Sequence, residues 1–470
     1  MNFIPPQDET RLRAAASGVL PNGKPVVVNA DGTVSVVAAV TQALGSDQVA
    51  ASTAGVRPHA AMDTVNNRLV LIYAGTSSYG TAVVGTISGT SISFGTPEVF
   101  AAVDSEQYPA ICFDAKAEKV VIAIKDASGS GRKSESLTGT VDPSDNSISF
   151  GTKVQIDGSN NISHINLVYD VNAEKCVIAY TTSGNAYARV ITISGTDLSY
   201  GTRDEIEAFS GIGSQDNSLC YDSNQNKVII SYGVPSGSNV VAGRSRVGTV
   251  SGTDISFGDA QDFSSSNPTG IVATFDSNSN AVVISYQIIS SGSQGPLKVR
   301  AGTVSGTSIS YGTEVQVTSN DTRQSFINFD ASANKSLVAY NDGTNSEDGY
   351  YAEITVSGNS ITASTPVVFQ ATQAARHTNV IYDPTSAQSI ISYQHTSNSN
   401  KPTCNIYRFA STNITAENYI GMSSGGQVAS GSSATVDIIG TVNEDQSSLT
   451  AGQSYFVQTD GTIGLTADDP

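Results

Sequence analysis

The sequence predicts an all-β protein, a seven-bladed β-propeller, on the strength of its composition, a recurrent hairpin phrase and a long-period repeat. Of 470 residues, 43 are Gly, 19 are Tyr, none is Trp and 14% are charged, a balance that suits many short strands and turns with little helix. The phrase Ser-Gly-Thr recurs within Gly85–Val99, Gly248–Ala260 and Gly302–Val315, and the residues around it alternate with a strand's period of two. Gly at the first central position of a two-residue hairpin supplies the positive φ that such a turn requires. A phosphate-cradling loop would need a Lys and a helix start after the glycines, and neither follows any copy.

The repeat is an aromatic residue and an Asp followed ten residues later by Tyr. It occurs at Asp114, Asp170, Asp222, Asp276, Asp330 and Asp383, with Ile124 in place of Tyr in the first of these, and Met62-Asp63 to Tyr73 is a variant copy. Successive aspartates are 51, 56, 52, 54, 54 and 53 residues apart. Each unit reads as four strands: one ending at the Asp, one such as Lys227–Tyr232, one ending at the Ser-Gly-Thr hairpin, and a fourth such as Ser308–Val317. Four strands at this period, repeated seven times, predict a seven-bladed propeller. The absence of Trp rules out ordinary WD repeats and the sialidase Asp-box, and no unit has the double glycine of kelch.

A ring has to close, and the chain ends indicate how. The last unit lacks its fourth strand, whereas Gly45–Ala51 precedes Asp63 at the spacing of a fourth strand. The N-terminal segment is therefore expected to complete the last blade, which removes free sheet edges. The propeller should occupy 41–412. The flanks, 1–40 and 413–470, resemble each other: Lys24–Val36 and Gln453–Leu465 each read as strand, Asp-Gly turn and strand, so together they should form one small β module.

A residue that recurs in every blade beside a tight turn is architecture, so Asp63, Asp114, Asp170, Asp222, Asp276, Asp330 and Asp383 are expected to accept backbone N–H bonds in Asx turns, helped by Lys119, Lys175, Lys227 or Lys335. The position six residues before each Asp varies instead: Arg57, Tyr108, His164, Asp216, Gly270, Gln324 and His377. These residues, with the variable second-to-third connections, should form a ring of mixed chemistry around one mouth of the channel and are the candidate binding residues. No catalytic residue, metal or cofactor is expected. Asp222–Asn226 and Asp276–Asn280 begin like calcium loops but lack the Gly and the distal Glu, His59 and His395 read as loop residues, and no Gly-x-Ser-x-Gly elbow is present, so the expectation is of a protein that is not an enzyme. Cys112, Cys176, Cys220 and Cys404 have no ligand spacing and read as buried small hydrophobes. A net charge of −18 argues against nucleic acid and anionic membranes as partners, and the N-terminal residues lack an export signal, which implies synthesis in a cytoplasm.

Ala16–Val37, Asn418–Gly464 and the Gly-Thr-Val-Ser-Gly-Thr repeats resemble segments of the virion structural proteins of tailed phages, marine ones especially. The resemblance implies a tail fibre, knob or tip component that contacts the host surface, a glycan or a protein, through its loops and binds other virion proteins through the terminal module. It implies location on the virion, at the tail or the capsid surface, and the fibre analogy adds a homotrimer. In such proteins the stretch matching Leu449–Thr462 runs on into another strand pair, which implies completion of the last module by a partner chain or its truncation at Pro470. A capsid decoration protein is the alternative within the virion, and a secreted bacterial adhesin or glycan-binding lectin the alternative outside it.

Overall fold

A computed structural model describes residues 11–467 apart from 30, 105–106, 127–132, 159–161, 183, 209, 212–216, 238, 290–294, 345–346, 372–374, 415–416 and 439–441. Among the described residues there is no α-helix, only β-strands and two 3-10 turns. The chain divides into two units, 44–407 and the combined flanks 1–43 and 408–470.

In the larger unit, each repeat folds into its own sheet; the long strands are antiparallel and, in the first six, in sequence order, and the fourth sheet adds the short strand Ser210–Gly211 parallel to Lys227–Gly237. The inner strands are Val56–Asp63, Gln107–Asp114, Ile162–Asp170, Asn217–Asp222, Pro268–Asp276, Thr322–Asp330 and Ala375–Asp383. The second strands, such as Lys119–Lys125 with the sequence KVVIAIK, are almost wholly buried. A sheet covered on both faces needs apolar residues on both, hence a continuous β-branched run instead of alternation. The cover comes from the neighbouring sheets: Val70, Ile72 and Val84 of one pack against Ile122, Leu137 and Ile148 of the next. Each inner strand touches the next in order, and the last, Ala375–Asp383, touches the first.

The Ser-Gly-Thr turns, and Ser357-Gly358-Asn359 in the sixth repeat, are hairpins with Gly89, Gly195, Gly252, Gly306 and Gly358 at φ between 57° and 64°. The fourth strand, expected as one run from Ser308 to Val317, is instead broken into Ser308–Tyr311 and Val315–Thr318, both paired with the third strand. The break falls at Gly312, where a Cβ would lie 2.1 Å from the carbonyl oxygen of Asn359 in the hairpin of the next sheet. The same contact joins Gly95 to Asn146, Gly151 to Thr196, Gly201 to Thr253, Gly258 to Thr307 and Gly45 to Thr90. A side chain at these glycines would overlap a neighbouring backbone, so each Gly permits one sheet to sit directly against the next.

The sixth repeat has Ser364 at this position, with Ser364 N bonded to Glu353 O at 2.9 Å as the glycines bond their own third strands. Its neighbour is the last sheet, whose third strand, Lys401–Arg408, does not continue into a hairpin. The outer edge of that sheet comes from the N-terminal segment: Gln48 and Val49 pair with Cys404 and Thr403, and Gly45 N donates to Ile406 O. Asp47 fixes this junction. Its carboxylate accepts from Tyr393 Oη at 2.9 Å, Asn405 Nδ2 at 3.0 Å and Gln370 Nε2 at 2.8 Å, and lies 3.2 Å from His395 Nε2. His395, expected in a loop, is the last residue of the strand Gln388–His395. Leu69, Leu71 and Val83 of the first sheet pack against Ile381, Ile390 and Ile406 of the last.

The smaller unit holds a five-stranded sheet in the order Arg11–Ala15, Ser433–Asp437, Tyr419–Ser424, Pro25–Val28, Val34–Val36. The two matching flank segments are both hairpins, Pro25–Val28 with Val34–Val36 and Phe456–Val457 with Ile463–Gly464, but only the first belongs to this sheet. Asp31 and Asp460 hold the two turns by accepting Thr33 N and Thr462 N at 2.9 Å, and the bonds from the Thr hydroxyls, followed by these N–H bonds, lower both carboxyl pKa values.

Gly201→Ala should lower stability by roughly 1–3 kcal/mol, since its Cβ would sit 1.8 Å from Thr253 O. Ser364→Ala, at the one such position without a hairpin to meet, should cost less than about 1 kcal/mol, both read from urea denaturation midpoints. Asp47→Ala should cost roughly 2 kcal/mol and expose residues 44–50 to limited proteolysis ahead of global unfolding.

Candidate functional site

The repeated aspartates lie at one end of the inner strands and are buried. Asp63, Asp114, Asp222, Asp276 and Asp330 each accept the backbone N–H groups two and three residues on, at 2.8–3.2 Å. Asp170 accepts Ala173 N at 2.9 Å, and Asp383 accepts Thr385 N at 2.9 Å and Ser386 N at 3.3 Å. Burial pushes the carboxyls of Asp170, Asp222 and Asp276 above the usual range, against the opposing pull of these N–H bonds. Four residues after each Asp the chain is left-handed, with φ of 50–55° at Asn67, Glu118, Glu174, Asn226, Asn280, Asn334 and Ala387.

Of the lysines, Lys335 Nζ bonds Glu353 at 2.8 Å and Lys119 Nζ bonds Glu118 O at 3.3 Å, whereas the charge of Lys227 favours the ionised form of Asp170. The aromatic residue before the Asp links neighbours, since Tyr169 Oη accepts Lys116 N and Tyr221 Oη accepts Asn172 N, each at 3.2 Å. The cysteines are buried and free, with Cys112 Sγ and Cys176 Sγ 3.3 Å apart.

At the other end of the inner strands, the positions six before the Asp share one backbone state. Arg57, His164, Gly270, Gln324 and His377 have φ of 54°, 51°, 57°, 48° and 52°. The register with the second strand shifts there in each case, as at Val56/His59 and Arg323/Phe326, so each strand carries a β-bulge. A non-Gly residue held left-handed costs about 1 kcal/mol, a cost that the paired strands on both sides offset. Tyr108 lies on the strand Gln107–Asp114, where the register also shifts, and Asp216 lies outside the described residues.

These bulges surround a cavity of about 260 Å³. Arg57, His164, Gln324 and His377 line it, joined by His59, Asn166, Asn217, Thr378 and Phe326. His59, expected in a loop, is in the strand Val56–Asp63, and its ring meets that of Phe326 edge-on at 6.4 Å between centroids. The added residues sit four or five before the repeated Asp. Alternation along the strand would have nominated the fourth, and the bulge brings in the fifth.

Hydrogen bonds between neighbouring inner strands hold the rim. Asn217 Nδ2 donates to His164 O at 2.5 Å, Asn166 Nδ2 donates to Asn217 O at 2.7 Å, His377 N donates to Gln324 Oε1 at 2.7 Å, and the Thr378 hydroxyl donates to Gln324 O. His164 Nδ1 is 3.2 Å from Thr181 Oγ1. Burial, then the Arg57 charge, lowers the His59 pKa to about 4, and burial with Arg57, His59 and Arg376 lowers that of His377 to about 3. Both imidazoles are therefore neutral at pH 7. Among the described residues no Asp or Glu lines this cavity, and no three His, Cys, Asp or Glu side chains gather to hold a metal ion.

No protein-family model and no curated protein matches the chain. Solved structures do. The Dos1 propeller aligns over 84% of this chain and 90% of its own at 10% identity and a TM-score of 0.42. The periplasmic gluconolactonase PpgL of Pseudomonas aeruginosa aligns over 76% of this chain and 95% of its own, at 8% identity and a TM-score of 0.49. The NanB sialidase of Streptococcus pneumoniae aligns over 78% and 70%, at 10% identity and a TM-score of 0.41. The fold is a β-propeller built from sequence repeats. The expectation that the chain is not an enzyme is corrected by these matches, because a gluconolactonase and a sialidase are enzymes with this fold.

The lowered histidine pKa values set the sign of a pH effect. Between the unfolded value of 6.5 and the folded values of about 4 and 3, the unfolded chain binds more protons, so this contribution to stability is present above pH 6.5 and is lost as pH falls through that window. His59→Asn with His377→Gln should remove up to about 1.4 kcal/mol per pH unit for each His from the acid limb, read as a shallower fall of Tm between pH 6.5 and 4 than in the parent.

Proposed function

We propose that this protein is a structural component of a tailed-phage virion, in which a seven-bladed propeller closed by the N-terminal segment is the head that recognises the host surface and the terminal module attaches it to other virion proteins. The observation that carries the reading is the contrast between the two ends of the inner strands. At the Asp end, both the backbone and the side chain repeat. At the bulge end, the left-handed backbone repeats while the side chains are Arg, His, Gly, Gln and His. Uniform backbone with varied side chains around a cavity is how a recognition surface is built on a scaffold, since turn geometry alone would be served by Gly or Asn at every copy. The resemblance of both flanks and of the hairpin repeats to virion proteins supports the location.

Immunogold labelling of intact particles with an antibody against residues 44–407 tests the reading. Label at the tail is expected, together with competition for adsorption by the purified protein that Arg57→Ala with His377→Ala abolishes. Label over the shell would make it a capsid decoration protein, and particles without label would overturn the virion assignment in favour of a secreted adhesin or lectin.

A further inference from the structure

The bulge-lined cavity contains more polar valence than the fold uses. Arg57 forms no ion pair or hydrogen bond with any described residue, in a chain of net charge −18. The rings of His59 and His377 likewise have no hydrogen-bond partner among the described residues, and the amide nitrogen of Gln324 is left over once its oxygen has accepted His377 N. These groups come from three repeats, Arg57 and His59 from one inner strand and Gln324 and His377 from two others, and meet in a space of about 260 Å³. Each of these residues lines that space. Phe326, edge-on to the His59 ring, and Ile271 add apolar surface to the same lining.

From this arrangement we infer that the cavity binds the carboxylate of a single acidic sugar residue, with Arg57 as its counter-ion, His59, His377 and Gln324 bonding the hydroxyls, and Phe326 with Ile271 against the apolar face of the ring. This rests on the recognition reading and names its ligand class. A lone guanidinium beside two neutral imidazoles balances one negative charge, and a planar carboxylate matches the guanidinium fork through two parallel bonds. A phosphate dianion would retain half its charge in a partly desolvated site. A lining that combines convergent donors with apolar surface suits a ligand with both polar edges and a C–H face, as a pyranose has. A space of about 260 Å³ is on the scale of one such residue, so the recognition inferred is of a terminal or side-branch sugar. The two histidines, kept neutral, can each donate from one nitrogen and accept at the other, which fits hydroxyls better than imidazolium would.

Isothermal titration of the full chain at pH 7 with glucuronate, N-acetylneuraminate, glucose and inorganic phosphate decides it. At least one of the two acids should bind at millimolar concentration or better, about tenfold more tightly than glucose and than phosphate. Arg57→Gln should lose about tenfold or more of that affinity with an unchanged circular dichroism spectrum, and Arg57→Lys should fall between it and the parent, because it keeps the charge and loses the fork. Equal binding of acid and glucose, phosphate binding as tight as the acids, full affinity in Arg57→Gln, or no binding of either acid would each overturn the assignment. Failure here would leave the particle-labelling result as it stands, and absence of label would leave a measured acid-sugar affinity intact, so the two readings fail separately.

Discussion

The contact between the glycine of one outer edge and the hairpin carbonyl of the next sheet sets the spacing on which the larger unit depends. Sheets that face each other through side chains stand about 10 Å apart. Here the outer edges have no such spacer, and backbone meets backbone at Gly95, Gly151, Gly201, Gly258 and Gly312, and again at Gly45. The Gly-Thr phrase is therefore two devices in tandem. The glycine inside the hairpin turns the chain, and the glycine after the aromatic residue accepts the turn of its neighbour. With the outer edges seated in this way, the second strands are covered on both faces and the inner strands are brought side by side.

Much of this could be read from the residues because it is local. An Asx turn depends on a carboxylate and the next few N–H groups, so Asp63 and its counterparts stood out by spacing alone. The closing strand was legible from counting, since Gly45–Ala51 had the right distance to its Asp and the last repeat was one strand short. The broken outer strand was not. Ser-Ile-Ser-Tyr-Gly-Thr-Glu-Val alternates well enough to read as one piece, and what interrupts it is a carbonyl from another repeat some fifty residues away, an influence outside any local window. The strands Tyr419–Ser424 and Ser433–Asp437 were missed for a related reason: they are short, rich in Gly and Ser, and become strands by pairing with one another and with Arg11–Ala15 and Pro25–Val28.

The site was half legible. The varying position six before each Asp was visible as a break in a pattern, and Arg57, His164, Gln324 and His377 do meet at one cavity. Asn217 and Thr378, five before their Asp, were overlooked because strict alternation assigns neighbouring residues to opposite faces, and a bulge suspends that rule for one residue, whereas His59, Asn166 and Phe326, four before theirs, are residues that alternation would have nominated. The bulge also explains why non-glycine residues tolerate a left-handed backbone here. The paired strands on either side hold the geometry whatever side chain is attached, so chemistry at the cavity can vary without a new fold for each variant.

Ser364 gives the ring a polarity that its symmetry conceals. Every other junction requires the absence of a side chain, and this one does not, because the sheet it faces is stitched from the two ends of the unit. Repeats are thus not interchangeable parts: moved to another place in the order, the sixth would drive its Ser364 side chain into a neighbouring hairpin, whereas any glycine-bearing repeat could take its place. Engineered shuffling or duplication of repeats in this protein has one permissive seam, and it lies beside the strand that Asp47 holds shut.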